Sequence, residues 1–338
     1  MHISLFDYNL PKELIAYYPS NKRDESKMLV FSRKRNEIYH SKFKNILDYL
    51  EGDEIIVANN VKVIPARIFA KKETGGKAEI LVIRKMENNL WEAFIKSSKK
   101  PKIGAKLKIT EDTWCKIIDF NNEKFIVQFS ENFNIEKTGK MPLPPYIKRE
   151  VEDIDFSRYQ TVFANENYKG AIAAPTAGLH FTEEILKKLK ENGVEICYIT
   201  LYVSYATFQP VREEIIENHK MHYENYEIFT DSANILNQAK KSGKKILAVG
   251  TTVVRALEDN FIKNKKIVSG KFSTNLFIYP GFNFKVVDKL LTNFHLPKST
   301  LLMLVSAFGG RENILKCYKE AIKMKYRFFS YGDCMLIL

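Results

Sequence analysis

Hydrophobic and polar positions along the chain fall into two regimes. From about Ala66 to Phe129 apolar residues alternate with polar ones in short runs: Ala78, Ile80 and Val82; Ala105, Leu107 and Ile109; Phe125, Val127 and Phe129. Gly75-Gly76, Asn88-Asn89, Lys102 to Gly104 and Asn121-Asn122 separate the runs. Period two with turns about every dozen residues predicts a small antiparallel β-barrel or sandwich. The proline-rich Met141-Pro142-Leu143-Pro144-Pro145-Tyr146 excludes helix and reads as a rigid exit from that module. Beyond it, helices and strands alternate. Thr182-Glu183-Glu184 opens a helix that Gly193 closes. Val194 to Val203 and Ile246 to Val249 read as buried strands, and Ser232 to Lys241, Thr252 to Phe261, Thr300 to Phe308 and Asn313 to Lys325 as helices. Met335 to Leu338 predicts a terminal strand. This order predicts an α/β domain with a mostly parallel sheet. Ile55 to Ala58 also reads as a buried strand, so the first 62 residues are expected to join 151–338 in one discontinuous domain, with the β-module of 63–150 inserted.

Composition changes the picture in three ways. A length of 338 residues is enough for two domains, and 45% hydrophobic with 28% charged residues excludes a disordered chain. The longest apolar stretch, Leu301 to Phe308, is too short to cross a bilayer, and the N-terminal residues lack a basic region followed by an apolar run, so a cytoplasmic protein is expected. Cys115, Cys197, Cys317 and Cys334 are scattered, which argues against a disulfide framework or zinc knuckle. The net charge of +13 suits a polyanionic partner such as nucleic acid. Only 11 of the 53 basic residues are Arg, so a compositional lysine bias reads equally well. No G-x-G occurs, nor G-x-x-x-x-G-K-[ST], G-x-S-x-G or H-E-x-x-H, which removes the usual dinucleotide, phosphate, hydrolase and metalloprotease readings.

Four segments set polar groups beside apolar strands. In Ala173 to Phe181, small residues allow close approach to the backbone, and His180 has the pKa range of a general acid or base. The competing reading is a histidine that only bonds its loop. In Ile246 to Arg255, a buried strand runs into Gly250-Thr251-Thr252 and a helix; free N–H groups there favour an anion, while Thr251 or Thr252 could equally be a simple cap. His219 and His222 stand three apart, as metal ligands on one helix face would, but no Cys or acidic ligand set accompanies them; His222 with Glu224 as acid and base, or a solvated stretch, fits better. The last are Thr292 to Pro297, with His295, and the aromatic Tyr326 to Asp333, which offers an Arg327–Asp333 pair and either base stacking or a core role.

In this order the segments resemble one family, the S-adenosylmethionine:tRNA ribosyltransferase-isomerases of queuosine biosynthesis. The likeness spans nearly the whole chain. It includes Leu10-Pro11, Tyr18-Pro19, Arg23-Asp24, Asn59-Asn60, Val63 to Arg67, Gly75-Gly76, Met141 to Ile147, Tyr159 to Val162, Ala173 to Phe181, Thr207 to Val211, Met221-His222, Val249 to Thr252, Phe277 to Gly281, Thr292 to Pro297 and Tyr326 to Asp333. Each piece is weak, whereas the ordered set is specific. The resemblance implies a three-layer α/β/α domain with an inserted small antiparallel β-barrel. It implies S-adenosylmethionine as co-substrate, no bound cofactor and no metal. The implied reaction moves the ribosyl group onto the aminomethyl group of 7-aminomethyl-7-deazaguanine in the tRNA anticodon loop and isomerises it. Epoxyqueuosine-tRNA, adenine and methionine are the implied products.

Within that frame the candidate catalytic residues are His180, His222, Glu224 and His295. The candidate substrate-binding residues are Asn60, Arg67, Thr176, Gly178, Phe181, Thr251, Thr252, Arg255, Arg327, Tyr331 and Asp333. Thr251, Thr252 and Arg255 would take the methionine carboxylate, and Phe181 or Tyr331 would stack the splayed base. The chain departs from the family pattern at Tyr202, Ser204 and Ala206, where a His and two glycines are usual, and at Tyr223, Val253 and Val61. Activity is expected to be kept because the other motifs are intact. The rivals are a tRNA methyltransferase using the same donor and a non-catalytic tRNA-binding homologue. The sequence leaves the oligomeric state open, with a monomer favoured.

Overall fold

A computed structural model describes every residue of the chain except 88, 122, 123, 204–210 and 212. Strands β1 (Lys27–Ser32), β2 (Glu37–Lys42), β3 (Ile55–Asn59) and the short β4 (Lys62–Val63) come first. Then follow β5 (Arg67–Lys72), β6 (Lys77–Lys85), β7 (Leu90–Ser97), β8 (Lys106–Lys108), β9 (Trp114–Asn121) and β10 (Lys124–Phe129). These six close into an antiparallel barrel in the order β10-β7-β6-β5-β8-β9. The alternation seen in the sequence is its inside and outside: Ala78, Ile80, Val82, Leu107, Phe125, Val127 and Phe129 are buried in one cluster. Gly75, at φ +83°, makes the turn from β5 to β6.

Helices α1 (Ile135–Thr138) and α2 (Asp153–Arg158) and strand β11 (Lys169–Ala171) lead the chain back. β11 pairs with β4, so the outgoing and returning segments lie side by side. The remainder is α3 (Glu183–Glu191), β12 (Glu195–Leu201), β13 (Glu224–Ile228), α4 (Thr230–Ser242), β14 (Ile246–Val249), α5 (Thr251–Asn264), β15 (Gly270–Thr274), β16 (Lys289–Asn293), α6 (Thr300–Gly309), α7 (Arg311–Lys323) and β17 (Cys334–Ile337).

These strands and β1 to β3 form one sheet in the order β15-β13-β12-β3-β14-β16-β17-β1-β2. Alternate residues face opposite layers. Ile55, Val57, Ile246, Ala248 and Leu290 pack under α4 to α7, whereas Ile56, Ala58, Leu247, Val249 and Leu291 pack under α3 and the turn of helix at Phe43–Tyr49. The architecture is therefore the expected three-layer α/β/α with an antiparallel barrel. The sheet itself is mixed, not mostly parallel. β12, β3, β14 and β16 are mutually parallel, but β16–β17, β12–β13, β13–β15 and β1–β2 pair antiparallel. The reason is connectivity: two consecutive helices, α6 and α7, return the chain to the end of the sheet it left, so β17 runs against β16. Fully buried strands read the same in sequence whichever way they run.

Candidate active site

At the carboxyl end of β14 the chain turns at Gly250 into α5. Gly250 has φ +96°, a conformation that favours glycine, and its N–H donates to Leu291 O at 2.8 Å, which ties the turn to the neighbouring β16. Gly250 makes no side-chain cap bond to α5, so among the described residues no N-cap side chain occupies the first N–H groups. β16 is parallel to β14 and leads through residues 294–299 into α6, whose first turn is capped by Ser299 accepting from Leu302 N at 3.2 Å. Two helices therefore start at the same end of the sheet, where open α/β sheets bind ligands. The small-residue segment Ala174–Ala177 closes a third side.

The space between is a cavity of about 330 Å³, lined by Tyr146, Ala174 to Ala177, Val203, Gly250 to Thr252, Thr292 to Pro297, Ser299, Leu301, Phe329 and Ser330. No Asp, Glu, Lys or Arg is among these described lining residues. In such a wall the start of α5 is the natural seat for a carboxylate.

His295 and Tyr146 are titratable side chains of the wall. Burial pushes the Tyr146 phenol up, where it is bonded to Ser330. His295 Nε2 lies 2.8 Å from Thr292 Oγ1, its backbone N–H donates to the Tyr318 hydroxyl at 3.0 Å, and burial lowers its pKa to about 3. His180 stands behind the wall. Its Nδ1 meets Ser26 Oγ at 2.9 Å, and Ser26 donates onward to Arg23 O at 2.9 Å, so Nδ1 carries the proton. Its Nε2 then accepts from Asn293 Nδ2 at 3.3 Å. Burial, with Arg327 and Arg23 adding, holds the His180 pKa at about 3. Asn293 Nδ2 also donates to Phe329 O at 3.1 Å. These two contacts fix the amide, and its Oδ1 is buried with no hydrogen-bond partner among the described residues. A buried acceptor without a partner is costly, and Asn293 is one of the residues that line the cavity.

The two histidines make stability depend on pH. Each titrates near 6.5 when unfolded and near 3 when folded, so the unfolded chain takes up two protons that the folded chain refuses. Their contribution is complete above pH 6.5 and is lost as the pH falls toward 3. Between pH 7 and pH 5 the loss is about 4 kcal/mol, from two groups at about 1.4 kcal/mol per pH unit below 6.5. Urea unfolding at the two pH values checks it: a much lower midpoint is expected at pH 5, and equal midpoints would contradict neutral burial.

The other candidate residues divide between the cavity wall and the rest of the fold. Thr176, Thr251 and Thr252 join His295 in the cavity wall. Glu224, on β13, is paired in the interior with Arg255, whose Nε donates to Leu276 O at 2.9 Å. His222 is exposed just before β13, and His219 packs its ring on Phe277. The segment from His219 to Tyr223 is not helical, so the two histidines share no helix face. Among the described residues no three His, Cys, Asp or Glu side chains gather as a metal set. Asn60 accepts from Thr200 Oγ1 at 2.6 Å in the core, and Phe181 packs edge-on against Phe43. Gly178 sits so close to Phe163 and Thr161 that a Cβ would lie 2.7 and 2.8 Å from them. Arg67 donates to Leu143 O at 2.9 Å and is ion-paired with Glu79 at 3.1 Å. Arg327 pairs with Asp333 at 3.1 Å, and Tyr331 donates to Asp155 at 2.7 Å. Of the departures, Ser204 and Ala206 lie outside the described residues, Tyr223 is exposed, and Val253 and Val61 are core. Sequence reasoning did not single out Asn293, Tyr146, Phe329 or Ser330, although each lies inside a segment it had marked.

Fold and cavity together define an α/β protein with a cavity at the carboxyl ends of its central parallel strands. The family model described as "Queuosine biosynthesis protein" matches residues 3–337. The chain is 48% identical over 345 residues to the S-adenosylmethionine:tRNA ribosyltransferase-isomerase of Halothermothrix orenii, and 47% identical over 350 residues to that of Staphylococcus haemolyticus, covering 100% of both chains each time. It is also similar to the crystal structure of S-adenosylmethionine tRNA ribosyltransferase from Thermotoga maritima, with 37% identity, a TM-score of 0.57, and 99% of this chain and 100% of that one covered. The chain belongs to the queuosine biosynthesis protein family and is an enzyme of its ribosyltransferase-isomerase type. Among the described residues no helix is long and apolar enough to cross a membrane.

Proposed function

We propose that the enzyme transfers the ribosyl group of S-adenosylmethionine to the aminomethyl group of 7-aminomethyl-7-deazaguanine in a tRNA anticodon loop and isomerises it. The products are epoxyqueuosine-tRNA, adenine and methionine. The observation that carries this reading is the cavity at the start of α5, walled by residues from five of the family's motifs and by no charged side chain among the described residues. S-adenosylmethionine brings charges of its own: a carboxylate, an ammonium and a sulfonium. Its carboxylate suits the N–H groups and hydroxyls of Thr251 and Thr252. Its ammonium or its adenine amine supplies the donor that Asn293 Oδ1 lacks.

The sulfonium acidifies the adjacent ribose C–H, and a neutral imidazole has the lone pair to accept that proton, although burial makes it a weaker base than a free imidazole. We assign this role to His295, since His180 has both nitrogens committed to Ser26 and Asn293. The attacking aminomethyl group must also be neutral, and a site without carboxylates disfavours its ammonium form. Residues 1–62 and 151–338 would form the catalytic domain and 63–150 the inserted barrel domain, in a cytoplasmic protein without a bound cofactor or metal.

Incubation with S-adenosylmethionine and tRNA bearing the aminomethyl base tests the reading through the released small molecules. Adenine with methionine is expected; S-adenosylhomocysteine would move the enzyme to methyl transfer. Asn293→Ala is expected to raise KM for S-adenosylmethionine about tenfold or more, the cost of one buried hydrogen bond, with a smaller effect on KM for tRNA. An unchanged KM for S-adenosylmethionine would remove Asn293 from the site.

A further inference from the structure

The barrel carries a feature that the cavity does not use. Residues 67–129 hold 14 Lys and Arg against 8 Asp and Glu, so under a fifth of the chain supplies +6 of the net +13. The pairing of strands gathers part of this charge on the outer face. Lys71 on β5 stands directly opposite Lys77 on β6 and directly opposite Lys108 on β8. One step further, Lys106 on β8 stands opposite Lys116 on β9. Lys71, Lys77, Lys106 and Lys108 are exposed. Like charges in directly paired positions weaken a sheet, so the fold gains nothing from them.

A lysine-rich composition alone does not produce this arrangement. On the helices lysines stand one turn from glutamates: Lys188 with Glu184 at 2.7 Å and Lys187 with Glu191 at 3.8 Å. On the barrel face Glu111 pairs with Lys108, at 2.7 Å. Aromatic rings lie among the lysines. The Lys106 ammonium sits 4.9 Å above the Trp114 ring, and Phe69, two residues before Lys71 on the same outer face, is 56% exposed. Lysines interleaved with exposed rings are the surface that holds a nucleic-acid backbone.

The face connects to the site through the chain. β5 begins at Arg67, which bonds Leu143 in the segment that reaches Tyr146 on the cavity wall. At about 3.3 Å per residue the strand carries Lys71 roughly 13 Å outward from Arg67. We propose that the lysine row of β5, β6 and β8 binds the phosphate backbone of the RNA substrate, away from the base that enters the cavity. This rests on tRNA being the substrate.

The test compares two triple variants of the full chain for binding to a tRNA transcript across a salt series. One is K71Q/K77Q/K108Q on the barrel; the other is K187Q/K190Q/K319Q on helix surfaces, with the same change in net charge. The barrel variant keeps its fold, because the three lysines are exposed and the surface ion pair of Lys108 with Glu111 that is lost with them is worth little, and unaltered S-adenosylmethionine binding reports this. Its tRNA affinity is expected to fall about tenfold or more at 0.15 M salt, with the slope of log K against log salt reduced by roughly 2 to 3. The helix variant is expected to keep nearly the parent values. Parent-like binding by the barrel variant, or an equal loss in both, would overturn the proposal. These readouts need no turnover, so an enzyme that binds tRNA through this face but releases other products would overturn the proposed reaction and leave the face standing. A parent that does not bind tRNA would overturn both.

Discussion

Replacing His295 by Ala is expected to lower kcat by about 10² to 10⁴, the usual worth of one general acid–base group. KM for S-adenosylmethionine should move far less, because the carboxylate and amine contacts are proposed on Thr251, Thr252 and Asn293. Single-turnover rates with saturating co-substrate separate the two parameters. The choice of His295 comes from position: it is in the cavity wall, while His180 lies behind it, His222 is exposed and Glu224 is paired in the interior. His180→Gln should act differently, loosening Asn293 and so weakening co-substrate binding. A His295→Ala enzyme with the parent kcat would remove the proposed base.

Glu224→Ala is expected to cost about 3 to 5 kcal/mol of stability, since it strands a buried guanidinium. Arg255 is 4% exposed, and its second terminal nitrogen already lacks a hydrogen-bond partner among the described residues. Urea unfolding reads this loss directly. Specific activity of the folded fraction should stay near the parent level, because the Glu224–Arg255 pair is outside the cavity wall. Replacing both partners with apolar residues, as in E224L/R255M, should recover much of the stability. A stable Glu224→Ala protein with a collapsed kcat would instead make Glu224 a catalytic carboxylate.

The parts of the fold that announce themselves in sequence are those with a strong local signature. Period-two runs such as Phe125, Val127 and Phe129 between turn residues mark the barrel, because one face of each strand is buried and the other is wet. Helix α4 is marked at its end by Gly243, which takes the left-handed conformation that stops it. Strands β13 and β16 escape notice for opposite reasons. Glu224-Asn225-Tyr226-Glu227-Ile228 is too polar to look like a strand, because its one buried carboxylate is neutralised by Arg255 from a distant helix. β16 begins at a buried Lys289 that looks like surface until Glu54, just before β3, is seen 2.6 Å away.

Site residues follow the same rule. Gly250-Thr251-Thr252 could be read as a ligand-binding turn because strand end, glycine and helix start are contiguous. The split between His295 in the wall and His180 behind it depends on Ser26, 154 positions before His180, and on which way each ring points. No local pattern carries that information. Arg255 shows the converse: its place one turn into α5 suggested a carboxylate partner on a ligand, and the structure supplies one from Glu224.

The central claim is that the co-substrate lies between the starts of α5 and α6. A crystal structure of the protein with S-adenosylmethionine bound tests it most directly. The account predicts the carboxylate within hydrogen-bond distance of the Thr251 and Thr252 N–H groups, and an amine of the ligand on Asn293 Oδ1. Density for the ligand elsewhere, for example against β13 near Glu224 and Arg255, would contradict it.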